Sequence, residues 1–409
     1  LKSHKVSVCV ILCACLLIVL GDVRFIIGST GYWIVWGAVI FTGLFFSSCV
    51  ISRNISVDLF VYLTGFLLVF LSFMLSGFAN QDVYTIYQGF KIFFIALAFF
   101  CIYLNVRDLS EASVYKISVL CIAVGLVLFL MSKYALRDLY VELGDGRQGS
   151  QFAYPGVLWK TPVFFIGFVV AGMVFGARNK VVSLFALVGG LFLLKADSSR
   201  TGFIILAMVV LLFAVLCAYL RPKTAIICSL LFSLIGMGAL ILYSGGFVFF
   251  SHSEEPLVLN RLAAGDPIRS QMLADGLLHV KQCFPLGCGF GTATSVVDGA
   301  DMVVHNAYLS SLGDIGMLGF VGITVLIISP ICFFIARLTS ASSRGIRSTL
   351  NIAYSIAAFG GVLGFALLLM LHPFSTELSE WGIWILMVSL LSTFSQRITA
   401  VTDDEKVAI

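Results

Sequence analysis

His305-Asn306-Ala307-Tyr308-Leu309-Ser310-Ser311-Leu312-Gly313-Asp314-Ile315-Gly316-Met317-Leu318-Gly319 carries a polar segment directly into an apolar one. The apolar character that begins at Tyr308 runs on to residue 335, beyond the roughly 20 residues a helix needs to cross a bilayer. Upstream lie three cations able to meet an anion, Arg261, Arg269 and Lys281, and the glycine-dense turn Gly287-Cys288-Gly289-Phe290-Gly291. A segment this polar, set between apolar spans, needs a home outside the hydrocarbon, where unpaired polar groups are costly.

The rest of the chain is strongly apolar. Hydrophobic residues make up 60% of its 409 residues and charged residues 11%, against about 45–50% and about 25% in soluble proteins. Apolar runs recur at 6–27, 31–51, 57–77, 85–104, 117–131, 161–177, 181–195, 201–220, 224–243, 308–335, 349–371 and 381–396. They predict an all-α polytopic membrane protein of about 12 transmembrane helices, a single integral membrane domain over residues 1–409. Several runs are short, as tilted or partly buried helices allow. Lys2, His4 and Lys5 precede the first run as in a secretory leader, but no small-x-small site precedes Gly21-Asp22, so it reads as a retained span.

Charge sets the orientation. One side carries Lys2, Lys5, Arg53, Arg107, Lys116, Arg178, Lys180, Arg221, Lys223, Arg337, Arg344, Arg347 and Arg397, with no acidic residue in 178–180, 221–223 or 337–347. That side is the inner one, with both termini on it. The outer side then holds two long loops, 132–160 and 244–307, of a length that usually carries function. The first offers Arg137, Arg147, Tyr154 and Trp159 to a membrane surface, where aromatic residues anchor. In the second, Met272, Leu273, Leu277, Val280 and Phe284 share one face of an amphipathic stretch from Ile268 to Phe284. Such a helix lies in the interface plane or covers the bundle top. The eleven cysteines lack metal-ligand spacing; Cys283 and Cys288 are the only pair in an outer loop, where a disulfide and two free thiols are both open.

His305 is the first candidate for chemistry, because imidazole titrates near neutrality and serves as a general base; a lone histidine is more often structural. Asn306 and Tyr308 beside it supply the hydrogen bonding that sugars need. Gly313, Gly316 and Gly319 recur every third residue, a spacing that reads as close helix packing. Arg200 opens a span after Lys195-Ala196-Asp197-Ser198-Ser199, on the same side as His305, and Lys91 lies about two turns inside the outer end of its span. With Arg261 and Arg269 they form a set of cations suited to phosphate, which arginine holds by forked, charge-assisted bonds. The plain alternative pairs them with Asp197, Asp266 or lipid headgroups. The glycine turn offers backbone N–H groups to a phosphate, yet it is neither a dinucleotide fingerprint nor a P-loop. No outer Asp-x-Asp pair, zinc spacing or Gly-x-Ser-x-Gly elbow is present, so the chemistry implied uses cations without a metal. A lipid or polysaccharide transporter is the competing class; it needs polar residues through the midplane, whereas these cations crowd one surface.

These pieces resemble the O-antigen ligase and O-antigen polymerase superfamily of bacterial envelope glycosyltransferases. The resemblance rests on the long outer loop with its arginines, on Pro285-Leu286-Gly287-Cys288-Gly289-Phe290-Gly291, on His305-Asn306-Ala307-Tyr308-Leu309 followed by Gly316 and Gly319, and on Ser199-Arg200-Thr201-Gly202. It implies a GT-C-like, inverting, metal-independent transferase of the bacterial inner membrane, with its site facing the periplasm. Residues 132–160 would be the first periplasmic loop and 244–307 the large one carrying part of the active site. His305 would activate or orient the acceptor hydroxyl, and Arg200 and Arg261 would hold the pyrophosphate leaving group, with Arg269, Lys91, Asn306 and Tyr308 as further substrate contacts. No cofactor is implied. The partners implied are an undecaprenyl-pyrophosphate-linked oligosaccharide, a glycan or lipid A-core acceptor, membrane lipid and a chain-length regulator, with no nucleic acid. Polymerase and ligase share the donor and differ in the acceptor; the strongly apolar, Phe-rich composition leans to polymerase. A peptidoglycan polymerase of the shape-elongation-division type is a more distant option, whose acidic residue would be Asp266, Asp275, Asp298 or Asp301.

The acid-free basic loops make the orientation testable. A reporter fused after Ala300 should be active outside the cytoplasm and one fused after Ser343 inside it; the opposite pattern removes the outer site.

Overall fold

A computed structural model describes residues 2–47, 56–143, 146–176, 178–220, 267–297, 299–343 and 349–406. The helices are α1 (Lys2–Val19), α2 (Arg24–Ser47), α3 (Val57–Ala79), α4 (Val83–Val106), α5 (Glu111–Tyr134), α6 (Lys160–Phe175), α7 (Lys180–Asp197) and α8 (Arg200–Leu220). After the outer segment come α9 (Pro267–Cys283), α10 (Ala307–Asp314), α11 (Met317–Ser343), α12 (Thr349–Leu371) and α13 (Leu378–Lys406). Two short antiparallel hairpins, β1 (Tyr140–Glu142) with β2 (Gln148–Ser150) and β3 (Thr294–Val297) with β4 (Ala300–Val303), lie in the outer connections. Local chemistry sets the starts: Ser56, Asp82, Ser110 and Asn179 each accept a first-turn N–H of α3, α4, α5 and α7, satisfying donors that would otherwise be orphaned.

Helix α13 is the centre of the bundle, with 89% of its span buried. Trp384 meets Phe66, Phe99 and Tyr62 at ring-centroid distances of 5.7, 5.7 and 6.2 Å. Aromatic contacts of this kind add about 0.5–1.5 kcal/mol each beyond area. Its polar face is paired at the end opposite His305. Asp58 of α3 accepts from Ser392 at 2.6 Å and from Arg337 of α11 at 2.6 Å, and Tyr103 lies 3.0 Å from Ser392. Lipid supplies no hydrophobic drive between helices, so close approach matters more. At the α3–α11 crossing, a Cβ on Gly322 would stand 2.8 Å from the carbonyl oxygen of Gly65.

The protein is a multi-pass membrane protein by helix length and hydropathy. Seven helical segments among the described residues are long and apolar enough to cross, ending at Phe46, Ala79, Val106, Tyr134, Ser340, Leu371 and Ile398. The expectation of twelve spans is therefore not met there. The apolar helix α6 reaches only Lys160–Phe175, at 1.5 Å per residue short of a core of about 30 Å. Helix α7 carries Lys180, Lys195 and Asp197 at its ends, and the run 224–243 lies outside the described residues. The run 308–335 is likewise not one helix. It breaks at Gly316, whose φ of 85° is left-handed, a conformation that glycine adopts without penalty. Gly313, Gly316 and Gly319 therefore do not form one stripe: Gly313 abuts His279, Gly316 the backbone of Pro285 and Leu286, and Gly319 Ile315 and Ser72.

The α3–α11 crossing yields a stability prediction. Gly322→Ala should lower stability by about 1–3 kcal/mol, read as thermal unfolding in nanodiscs, whereas Gly37→Ala, whose Cβ would meet nothing within 4 Å, should not.

Candidate functional site

The end of the bundle that carries His305 is built on a buried carboxylate. Asp314, the last residue of α10, accepts from the backbone N–H of Ala293 at 2.7 Å and of Gly291 at 2.9 Å and from the Thr292 hydroxyl at 3.2 Å. Its own carbonyl accepts from Ser76 and from Gly289, both at 2.9 Å. Burial pushes its carboxyl up to about 6, against the pull of those N–H donors. The glycine turn is thereby fully engaged. The N–H groups of Gly287, Cys288, Gly289, Phe290 and Gly291 go to Cys283 O, Gly313 O, Asp314 O, Thr85 Oγ1 and Asp314 Oδ2, so none is left for a phosphate. Positive φ at Gly287, Gly289 and Gly291 permits that path. Cys283 and Cys288 are joined in a disulfide.

His305 stands between β4 and α10, half-buried, with Nδ1 2.8 Å from the carbonyl oxygen of Val303. A carbonyl only accepts, so Nδ1 carries the proton and the neutral ring keeps its lone pair on Nε2. Asn306 caps α10, its Oδ1 accepting from Leu309 N at 3.1 Å. Tyr308 turns inward and donates to Ala366 O at 3.3 Å. Arg269 is exposed on α9, and Arg200 is half-buried at the start of α8, two residues before Gly202, which abuts Trp159. Arg261 lies outside the described residues.

Several groups at this end were not singled out in the sequence. Lys160, buried at the start of α6, holds both carboxylate oxygens of Glu380 at 2.7 Å. Glu377 bridges two cations: Oε1 is 2.8 Å from Lys91 Nζ and Oε2 is 3.2 Å from Arg24 Nη1. His372, in the same α12–α13 connection, lies within electrostatic reach of Lys160, Glu380, His305 and Arg269. Burial first, and the neighbouring Lys160 charge next, push it down to about 4. His305, Arg269, Lys160 and Glu380 thus all lie within electrostatic reach of His372, and Glu377 on the same connection holds Lys91 of α4 and Arg24 of α2. The connection is pinned to α10 by Phe374 N donating to Ser310 Oγ at 3.1 Å. The sequence signal was present: Glu377 and Glu380 are acidic residues flanking an outer span end, opposite intramembrane cations. It becomes readable only when the helices are assembled.

Other outer expectations change. Trp159 is 1% exposed and donates to Gly156 O and Asp197 Oδ2, so it is a core residue rather than an interface anchor. Asp197 pairs with Arg147 at 2.7 Å. On α9 the expected apolar face is divided: Met272 is buried, while Leu273, Leu277 and Phe284 are exposed, because the helix docks on α10 and β3 through Met272, Gly276 and His279 instead.

The two kinds of ion pair differ in strength. The Glu377 pairs, with side chains 15–28% exposed, resemble open pairs worth about 0.2–1 kcal/mol each. Lys160 is only 6% exposed although its partner Glu380 is 30% exposed, so breaking this pair costs more than the about 0.2–1 kcal/mol of an open pair and at most the about 3–5 kcal/mol of a fully buried one. No family model matches the chain, and no curated protein matches it.

The electrostatics of His372 can be checked directly. Its imidazole should titrate near 4 by histidine-selective NMR, and Lys160→Met should raise that value by removing a neighbouring cation. Because the folded value lies below the ordinary 6.5, the contribution of His372 to stability is present above pH 6.5 and lost as pH falls through about 4. His372→Gln should flatten that part of the profile.

Proposed function

We propose that the protein is a surface-polysaccharide polymerase of the bacterial inner membrane. It would transfer an undecaprenyl-pyrophosphate-linked glycan onto the non-reducing end of another lipid-linked repeat unit at the periplasmic face. The observation that carries this reading is His305 at the outer end with its lone pair on Nε2, among cations and at the mouth of a helix pair. In the reaction the acceptor hydroxyl oxygen attacks the anomeric carbon from the face opposite the pyrophosphate, which inverts it. His305 Nε2 takes the hydroxyl proton as the new C–O bond forms and the bond to the pyrophosphate oxygen breaks. The leaving group gathers negative charge, and preorganised cations aimed at that charge are usually the largest catalytic contribution. Arg200 and Arg261 would meet it, with Arg269 and Lys91 assisting. Asn306 fixes the start of α10 and so holds His305 in place.

Deletion of the protein followed by gel analysis of surface polysaccharide tests the function. Core bearing a single repeat unit is the expected product; loss of every unit assigns ligation to lipid A-core, and an unchanged ladder removes both.

Purified variants test the roles. His305→Ala should slow transfer by about 10²–10⁴-fold while lipid pyrophosphate still binds. Arg200→Ala and Arg261→Ala should each weaken donor binding by about 1.5–3 kcal/mol, and lysine should restore it only in part. Loss of donor binding in His305→Ala with normal binding in the arginine variants would reverse the assignment.

A further inference from the structure

Arg24, Lys91 and Glu377 meet at the outer ends of α2, α4 and α13. The two cations come from different helices and take different oxygens of one carboxylate, Nη1 of Arg24 to Oε2 and Nζ of Lys91 to Oε1. That is the arrangement in which two cations hold a phosphate. One donor is left over: Arg24 Nε is buried and has no hydrogen-bond partner among the described residues. A guanidinium offers a flat fork of N–H groups that matches two oxygens of one anion. Glu377 comes closest to it at Nη1, 3.2 Å away. An unpaired buried donor is costly, so this site is better matched by an anion with more oxygens than the carboxylate now in it.

The carboxylate is also free to leave. The backbone of Glu377 is fixed: its N–H donates to Ser375 Oγ at 3.1 Å, and its carbonyl accepts from Glu380 N at 3.1 Å and Trp381 N at 3.2 Å. Its side chain is 28% exposed. Withdrawal therefore needs a rotamer change and no movement of the main chain. Once it swings out, two cations remain, a charge equal and opposite to that of a pyrophosphate diester at neutral pH.

We propose that Arg24 and Lys91 form a pyrophosphate subsite, and that Glu377 is its internal occupant, displaced when a pyrophosphate-bearing substrate enters. The proposal rests on the transferase reading for the identity of that substrate and extends it to a residue pair and a gate. Ser310 joins the subsite to the His305 end, because α10 begins directly after His305-Asn306 and holds Phe374 of the Glu377 connection.

The test is binding of radiolabelled inorganic pyrophosphate to the full chain in nanodiscs of phosphatidylcholine. Glu377→Gln keeps the side-chain shape and removes the competing charge; it should bind about tenfold tighter than the parent, the scale of one charge-assisted hydrogen bond. A gain of this kind cannot come from misfolding. Arg24→Gln and Lys91→Gln should each bind about tenfold more weakly, and the Arg24→Gln/Glu377→Gln pair should be no tighter than the parent. Equal affinities across the series, or a weaker Glu377→Gln, overturn the subsite. Nanodiscs containing phosphatidylglycerol should leave the order of the series intact; binding abolished there assigns the cations to lipid headgroups and also overturns it. The readout needs no glycosyl transfer. A normal polysaccharide ladder on deletion therefore removes the function alone, and a flat binding series in a protein required for the ladder removes the subsite alone.

Discussion

The buried Lys160 ammonium is held against both oxygens of Glu380, and that pair fixes where the central helix begins. Glu380 is the third residue of α13 and Lys160 the first of α6, so one ion pair ties the starts of these two helices together. The connection from α12 must then reach this point from His372. Over those few residues Phe374 donates to Ser310, Thr376 donates to Gln88, and Ser375 accepts from Trp381 Nε1. With its backbone so committed, the connection presents Glu377 to Arg24 and Lys91 and leaves His372 beside the ion pair. An apolar replacement of the pair would hold the helices equally well. What the charges add is a fixed field at one end of the bundle.

A second carboxylate, Asp314, does the corresponding work for the outer segment. Its side chain gathers the stretch of residues 291–293, while its carbonyl takes Ser76 of α3 and Gly289 of the turn. Asn80, at the end of α3, donates to Gly287 O at 2.9 Å. The turn is therefore clasped between the α3–α4 corner and the α10–α11 break. Glycine is required for closeness: a Cβ on Gly287 would lie 2.4 Å from Asp314 O, and one on Gly316 2.3 Å from Pro285 O. The glycines serve the fold, and the anion chemistry falls to side chains.

The membrane character was legible in the sequence because hydropathy is additive along the chain, but helix ends were not, since polar capped first turns lie outside the apolar runs: α5 begins at Glu111 after its cap Ser110, six residues before the run that starts at 117. The break at Gly316 was not legible either, since a glycine in an apolar run is as compatible with a packed helix as with a left-handed corner. Only the contact with Pro285 distinguishes them. The Cys283–Cys288 pair could be named but not chosen, because spacing alone leaves the geometry open. His305, Arg269 and Lys91 could be singled out as candidates from residue type and side. Arg24, Lys160, His372, Glu377 and Glu380 were not, because each acquires its meaning from a partner on another helix, from 67 to 353 positions away in the numbering for the pairs Lys91–Arg24 and Arg24–Glu377.

Two carboxylates three residues apart on one connection thus meet cations under different conditions. Glu380 faces an ammonium that is almost wholly buried, where losing the partner leaves an uncompensated charge in a poorly solvated place. Glu377 faces cations that remain partly open to water, where separation is cheap because solvent and counterions take over. The carboxylates are alike, 30% exposed for Glu380 and 28% for Glu377, so the difference between the pairs lies in their cations, Lys160 at 6% against Lys91 at 15% and Arg24 at 27%. The buried pair keeps the helix ends in register while the open one yields its cations to an incoming anion. His372, held neutral by the same buried environment, adds no cation of its own above about pH 4. The charge offered to an entering anion then comes from Arg24, Lys91 and the arginines of this end.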